Sequence, residues 1–283
     1  MRSISARSFT IGAWLGWQIE SNWTDPFLFA VYSIVKPLAG AGILVAMYSV
    51  ITGGDFASPI FAYIYIGNAF YQYVASVLTG VSWAVIDDRE HYKTLKYIYV
   101  APVTIPVYLV GRGFARILTG SLSVVITLLA GVWLLNLRID WAAVNWLLFG
   151  TTLLVGIAML TTMGLLLAGL TLLLANHNFF LGDAVAGALY LFSGAIFPLE
   201  VLPRFLRPIG YFIPISYWLE LLRRALVGSV AAAFPTFTAL SDLNLLFILV
   251  GLSLLFGSLS LWVFRFCERL ARERGLIDYV TNY

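Results

Sequence analysis

Within ten residues, 87–96, the chain places Asp87, Asp88, Arg89, Glu90, Lys93 and Lys96, with His91 among them. The thirty-one residues before them, Phe56 to Ile86, carry no charge. Mixed charges so close together can form ion pairs and a charged docking surface. They do not make a metal centre. The only other histidine is His177, and neither histidine has a cysteine or carboxylate cluster at ligand spacing. No G-x-x-x-x-G-K-[ST] occurs to cradle ATP phosphates, and neither G-x-S-x-G nor a glycine-rich dinucleotide fingerprint is present. No catalytic residue, metal site or bound cofactor is therefore expected, and the energy for any work must come from elsewhere.

The elements that position this patch follow from composition. The chain has 283 residues, 61% hydrophobic and 11% charged, with a mean hydropathy of +0.91. Soluble domains carry about 25% charged residues, so this is an integral membrane protein. Charge-free runs occur at Pro37–Gly54, Phe56–Ile86, Ile117–Leu137, Trp141–Gly182, Ala184–Leu199 and Leu243–Phe264. They predict six helical spans at 26–51, 57–86, 106–136, 141–174, 179–199 and 243–264. An outer-membrane barrel, with alternating segments of about 10 residues, is excluded.

Lys and Arg set the orientation. With the N-terminus inside, eleven cations are cytoplasmic (Arg2, Arg7, Arg89, Lys93, Lys96, Arg112, Arg116, Arg265, Arg269, Arg272, Arg274). Five are outside (Arg138, Arg204, Arg207, Arg223, Arg224). Both termini are expected in the cytoplasm of a cell inner or plasma membrane, and the net charge of +3 needs no nucleic-acid partner. Cys267 is the only cysteine, so no internal disulfide forms. MRSISARSFTIGAWLGW lacks an apolar core and an A-x-A site, so no cleaved leader is expected. The Asn22–Thr24 sequon falls on the cytoplasmic side, where it is a chance match.

Residues 3–22 are too polar to span. Ile4, Ile11, Leu15 and Ile19, with Trp14 and Trp17, make a stripe at roughly helical spacing, which predicts an interfacial helix in the headgroup plane. Gly12 and Gly16 form a GxxxG that carries little weight outside a true span. Lys36 lies within the first span and has two open readings: an intramembrane functional residue, or a lysine that snorkels to the headgroups. From Ser193 to Leu226, Pro198, Pro203, Pro208 and Pro214 forbid one continuous helix. This apolar segment is expected to form short re-entrant or interfacial helices on the outer side.

The charged patch itself has no Pro or Gly from Asp87 to Tyr99, and Pro102 and Pro106 close it. As a helix it would carry His91, Leu95, Ile98 and Pro102 along one side, with acids first and lysines later, as the helix dipole favours. Two readings stand: a surface helix placed to receive a push, or an ordinary charged loop.

Two patterns favour the first. DREHYKTLKYIYVAPVTIPVYLVGR, with Thr94-Leu95, its prolines and Gly111-Arg112, resembles the cytoplasmic coupling region of ABC-2 type transporter permeases. FSGAIFPLEVLPRFLRPIGYFIPISYWLELLRRAL, with Ser193-Gly194, Phe197-Pro198, Leu202-Pro203 and Pro214-x-Ser216-Tyr217, resembles that family's outer segment. The resemblance covers essentially the whole chain. It implies an all-α, six-span membrane domain with an N-terminal interfacial helix, a cytoplasmic coupling helix at 87–102, outer re-entrant helices at 200–226 between spans 5 and 6, and a cytoplasmic tail at 265–283. It implies two separate ABC ATPase subunits, which bind ATP and Mg, and a second permease. A homodimer is favoured because nothing in the sequence reveals a different partner. By position, Asp87, Arg89, Glu90, Lys93, Thr94, Leu95 and Tyr97 would meet the ATPase; Gly194, Phe197, Pro198, Pro203, Pro214 and Tyr217 would shape the outer gate. The mild N-terminal helix is similar to that of the drug- and lipid-exporting or nodulation-type branch, which implies export of a hydrophobic or amphipathic substrate such as a drug, lipid or lipid-linked glycan. The rivals are an ion-coupled carrier resting on Lys36 and Asp183, a membrane-embedded transferase resting on Asp183 or Glu200, and a non-transporting scaffold.

Overall fold

The computed structural model describes residues 2–22, 25–137, 139–174, 180–228, 236–277 and 279. Arg138, residues 175–179 with His177, and the last two sequon residues lie outside them. Among the described residues the chain is all-helical, at 81% helix with no strand.

Helix α1 (Arg2–Asn22) precedes α2 (Pro26–Thr52). Next comes α3 (Pro59–His91), whose α turns are interrupted by π turns at Val74–Leu78 and Asp87–His91. A short α4 (Leu95–Val100) leads to α5 (Ile105–Leu134) and α6 (Trp146–Leu173). Then follow α7 (Leu181–Phe192), a 3-10 turn (Leu199–Val201), α8 (Arg207–Phe212), α9 (Pro214–Val227) and α10 (Asp242–Glu273). The starts are locally encoded. Asp25 Oδ1 accepts from the Phe27 N–H at 2.8 Å, Asn145 Oδ1 from Leu148 at 3.1 Å, and Ser241 Oγ from Asn244 at 3.3 Å. These side chains satisfy donors that a helix leaves free at its first turn.

Five helices, α2, α3, α5, α6 and α10, are long and apolar enough to cross a membrane, and the chain is a multi-pass membrane protein. The expected span at 179–199 contains α7, with 12 residues. At 1.5 Å per residue it reaches about 18 Å, short of the roughly 30 Å of a hydrocarbon core. Gly194, at φ 71°, then turns the chain. The last span, expected at 243–264, continues without a break into the tail, which the sequence reads as helical, as far as Glu273.

Helix α3 is the centre of the bundle. Its most apolar window is 72% buried, against 11% for α2 and α10, whose outer faces are free. Against it packs α9, in which every residue from Pro214 to Arg223 is buried. Trp218 anchors this contact: its Nε1 donates to the Thr152 carbonyl of α6 at 3.0 Å, and its ring meets Phe70 and Tyr73 edge-on.

Helix α1 lies against α5 through the GxxxG that the sequence left unweighted. A Cβ at Gly12 would overlap the Tyr108 carbonyl oxygen, and one at Gly16 would stand 2.7 Å from that of Arg112. On the facing helix, a Cβ at Gly111 would stand 2.5 Å from the Phe9 carbonyl oxygen. Backbones approach this closely only where side chains are absent. Ile4, Ile11, Trp14 and Trp17 remain exposed on the opposite side of α1.

Candidate functional site

At the charged end of the bundle the resemblance implies a coupling helix over residues 87–102. The structure differs. Helix α3 ends in the π turn Asp87–His91; the Tyr92 N–H donates to the Asp87 carbonyl at 2.8 Å and the Thr94 N–H to the Asp88 carbonyl at 2.8 Å. Lys93 takes a left-handed φ of 54°, and α4 starts in a new direction. Helix propensity is a weak prior when tertiary burial opposes it. Here Leu95 is buried in a cluster with Val81, Ala84, Ile105 and Tyr108.

Charge order along the segment does not describe where the charges go. Asp88 and Arg89 are 0% and 1% exposed. The Tyr108 hydroxyl donates to Asp88 Oδ2 at 2.9 Å, and Arg112 Nη2 stands 3.4 Å from Asp88 Oδ1 and 3.6 Å from Asp87 Oδ2. Both partners come from the first turns of α5, across the loop. On the other side, Arg89 Nη1 donates to the Thr171 and Leu172 carbonyls, each at 3.3 Å, while its Nε donates to Glu90 Oε1 at 2.9 Å. Thr171 and Leu172 lie in the last turn of α6, where carbonyls lack helical partners and the helix dipole favours a cation. A hydrogen bond between Ser82, seven residues earlier in α3, and the Thr171 hydroxyl (2.7 Å) ties the same two helices again. Adjacent residues of α3 are thus bound to two different helices.

The neighbouring elements are tied in as well. Ser8 Oγ of α1 accepts from the Thr104 N–H at 3.1 Å, and Glu20 pairs with Arg116 at 3.0 Å. The Arg272 guanidinium of α10 lies over the Tyr99 ring, 4.8 Å from its centre. Burial raises the Tyr99 phenol above its ordinary range, and the nearby Glu268 carboxylate adds to the effect.

The predicted contact residues divide accordingly. Lys93 and Tyr97 are exposed, together with Tyr92, Lys96 and Val100. Asp87, Glu90 and Thr94 are half-buried, and Asp87 also holds His91 at 2.9 Å. Arg89 and Leu95 are buried in the chain itself, so they hold the exposed face in place and do not form it. Sequence reasoning missed Tyr108 and Arg112 as partners of Asp88. The available signal was Gly111-Arg112 entering a span, a cation next to a glycine that seats α1.

At the other end, the outer-segment prolines break the helix as expected. Pro198 caps the 3-10 turn and Pro214 opens α9, while Pro203 is exposed. The Tyr217 hydroxyl donates to the Tyr211 carbonyl at 2.8 Å, and its ring stands 4.5 Å from that of Phe237. Phe197 is half-buried in the turn after Gly194. Lys36 lies ten residues after Pro26, on the exposed side of α2, and forms no ion pair or hydrogen bond among the described residues. Asp183 and Glu200 are not brought together: Asp183 is in the first turn of α7, whereas Glu200 accepts from Tyr211 at 3.1 Å and from Thr236.

No group of three or more His, Cys, Asp or Glu placed to hold a metal occurs among the described residues. What the arrangement offers is mechanical: helix ends cross-linked by buried charge, next to a small exposed aromatic and basic face. Together with five helices long and apolar enough to cross a membrane, this defines a multi-pass membrane protein whose helices are linked by buried charge at one end. Residues 11–227 match the model of the ABC-2 type transporter family, and the chain belongs to that family. No curated protein matches the chain.

Proposed function

We propose that this chain is the membrane-spanning permease of an ATP-driven exporter, working with separate ABC ATPase subunits that bind ATP and Mg. In this reading the charged end faces the cytoplasm, and Tyr92, Lys93, Lys96, Tyr97 and Val100 form the face on which an ATPase docks. Asp88 and Arg89 pass its motion to α5 and α6. Two ATPases and two permeases make the complex, with a homodimer as the simplest arrangement. The substrate is a hydrophobic or amphipathic molecule: a drug, a lipid or a lipid-linked glycan. One observation carries the reading: residues 88 and 89, immediately behind the exposed face, each bind a different membrane helix. A non-transporting scaffold has no need for that junction.

The test is an affinity purification of the tagged chain from mild detergent, with mass spectrometry of what stays bound. A Walker-motif ATPase at one copy per permease, lost in a Lys93→Glu, Tyr97→Ala variant that remains folded, supports the reading. A stable preparation without an ATPase, whose transport follows an ion gradient, points to the carrier and to Lys36.

A further inference from the structure

At the end of the bundle opposite the charged patch, Arg223 of α9 is 1% exposed and has a site of its own. Its Nε donates to the Tyr63 carbonyl of α3 at 3.0 Å. Its Nη2 donates to the carbonyls of Gly194 and Ala195 at 2.8 and 2.9 Å. Its Cζ lies 3.7 Å from the Tyr63 ring centre, within cation–π range. One helical turn further along α3, Gly67 completes the seat: a Cβ there would overlap both Arg223 Nη2 and the Ala195 carbonyl oxygen. Gly194, at φ 71°, takes the left-handed turn from which its own carbonyl and that of Ala195 meet at one nitrogen.

The acceptors belong to two bodies, α3 and the turn after α7, and the guanidinium comes from a third. Glu220 is 4.0 Å from Arg223 Nη1, but its other oxygen is held by Arg224 at 3.0 Å. Arg223 is therefore fixed chiefly by neutral carbonyls, in a fork geometry that a lysine does not reproduce. Such a contact is strong when aligned and is lost when any of the three bodies moves. The left-handed turn at Gly194 and the bare Gly67 both fit this one guanidinium.

We propose that Arg223 is the latch of the outer segment: it holds the turn at 193–198 against α3, and its release is a step in opening the exit path. This rests on the reading that this end of the bundle faces outward.

The test uses one reactive cysteine in the full-length permease with its ATPase, in intact cells and in inside-out vesicles. Cys267, buried and the only native cysteine, is changed to Ala, and Ala195→Cys, at a 0% exposed position, is the reporter. That change keeps the backbone carbonyl that Arg223 binds. A membrane-impermeant maleimide should label the parent slowly from outside. Arg223→Lys should speed labelling at least about tenfold, as expected when charge-assisted hydrogen bonds are lost. Gly67→Ala, which keeps the arginine but fills its seat, should do the same. The two changes together should be no faster than the faster single change, because they remove one contact. Unchanged labelling in both single variants overturns the latch. Multiplying effects also overturn it, since they would report independent loosening. Acceleration seen only in inside-out vesicles overturns the outward placement while leaving the contact with α3 intact, which separates the two failures.

Discussion

Tyr108 and Asp88, twenty residues apart, are joined by a 2.9 Å hydrogen bond that closes the loop between α3 and α5. It joins the residue just behind the exposed face to the first turns of α5. Asp88 Oδ1 has no hydrogen bond of its own, only Arg112 at 3.4 Å. Leaving a buried polar group unsatisfied costs roughly 1–3 kcal/mol. Tyr108→Phe should therefore lower the thermal midpoint in detergent and should reduce transport per ATP hydrolysed more than it reduces ATPase binding. Equal transport at unchanged stability would remove this bond from the transmission path.

Asp88 and Arg112 should behave as a coupled pair. Asp88→Asn and Arg112→Gln each strand a buried partner, whereas the double variant removes both charges. The double variant should be more stable than the sum of the single effects predicts, by about 0.5–3 kcal/mol. A double-variant cycle of unfolding midpoints checks this.

Arg89 offers a sharp contrast with Lys93. The sequence places both in a docking surface, yet Arg89 is buried on the carbonyl end of α6 and Lys93 is exposed. Arg89→Glu should break the domain, with loss of folded yield on size exclusion, because it buries an unpaired charge against carbonyls. Lys93→Glu should leave folded yield and midpoint within about 0.5 kcal/mol of the parent and weaken ATPase capture. If Lys93→Glu retains full capture, the docking face lies elsewhere.

The contact between α1 and α5 should be sensitive to single methyl groups. Gly16→Ala puts a Cβ against backbone, which cannot turn away as a side chain would. Overpacking of this kind costs about 1–3 kcal/mol. The expected sign is faster proteolysis within residues 2–22, with the remaining spans intact. Gly40→Ala, on α2, meets nothing within 4 Å and should leave proteolysis unchanged.

Arg272→Ala removes the cation above Tyr99, a contact worth about 0.5–2 kcal/mol depending on its desolvation. Hydrogen exchange of residues 95–100 should rise, because α10 then no longer braces α4. Unchanged protection there would make the extension of α10 a passive tail.

The gross architecture was legible because it follows from composition along the chain. Five of the six charge-free runs became long helices, since a segment without charge in lipid satisfies its backbone only as a helix. Pro198 and Pro214 marked real breaks for a local reason, the missing N–H and a clashing ring. The fold class and the family needed no tertiary information.

What the sequence could not decide is where each charge points. In DDREH, Asp88 and Arg89 look like surface residues by type, and a continuous helix looks natural because no residue forbids it. Burial of Leu95, the Tyr108 hydroxyl and the open carbonyls of α6 all lie far away in sequence, and together they outweigh that local preference. The same holds for Arg223, which counts as one more outer cation until Tyr63, Gly67 and Gly194 come together around it. Local sequence determined which segments are helical and apolar. Only the packing of helices decided which cations stay exposed and which bind the chain itself, because burial depends on neighbours that no short stretch of sequence contains.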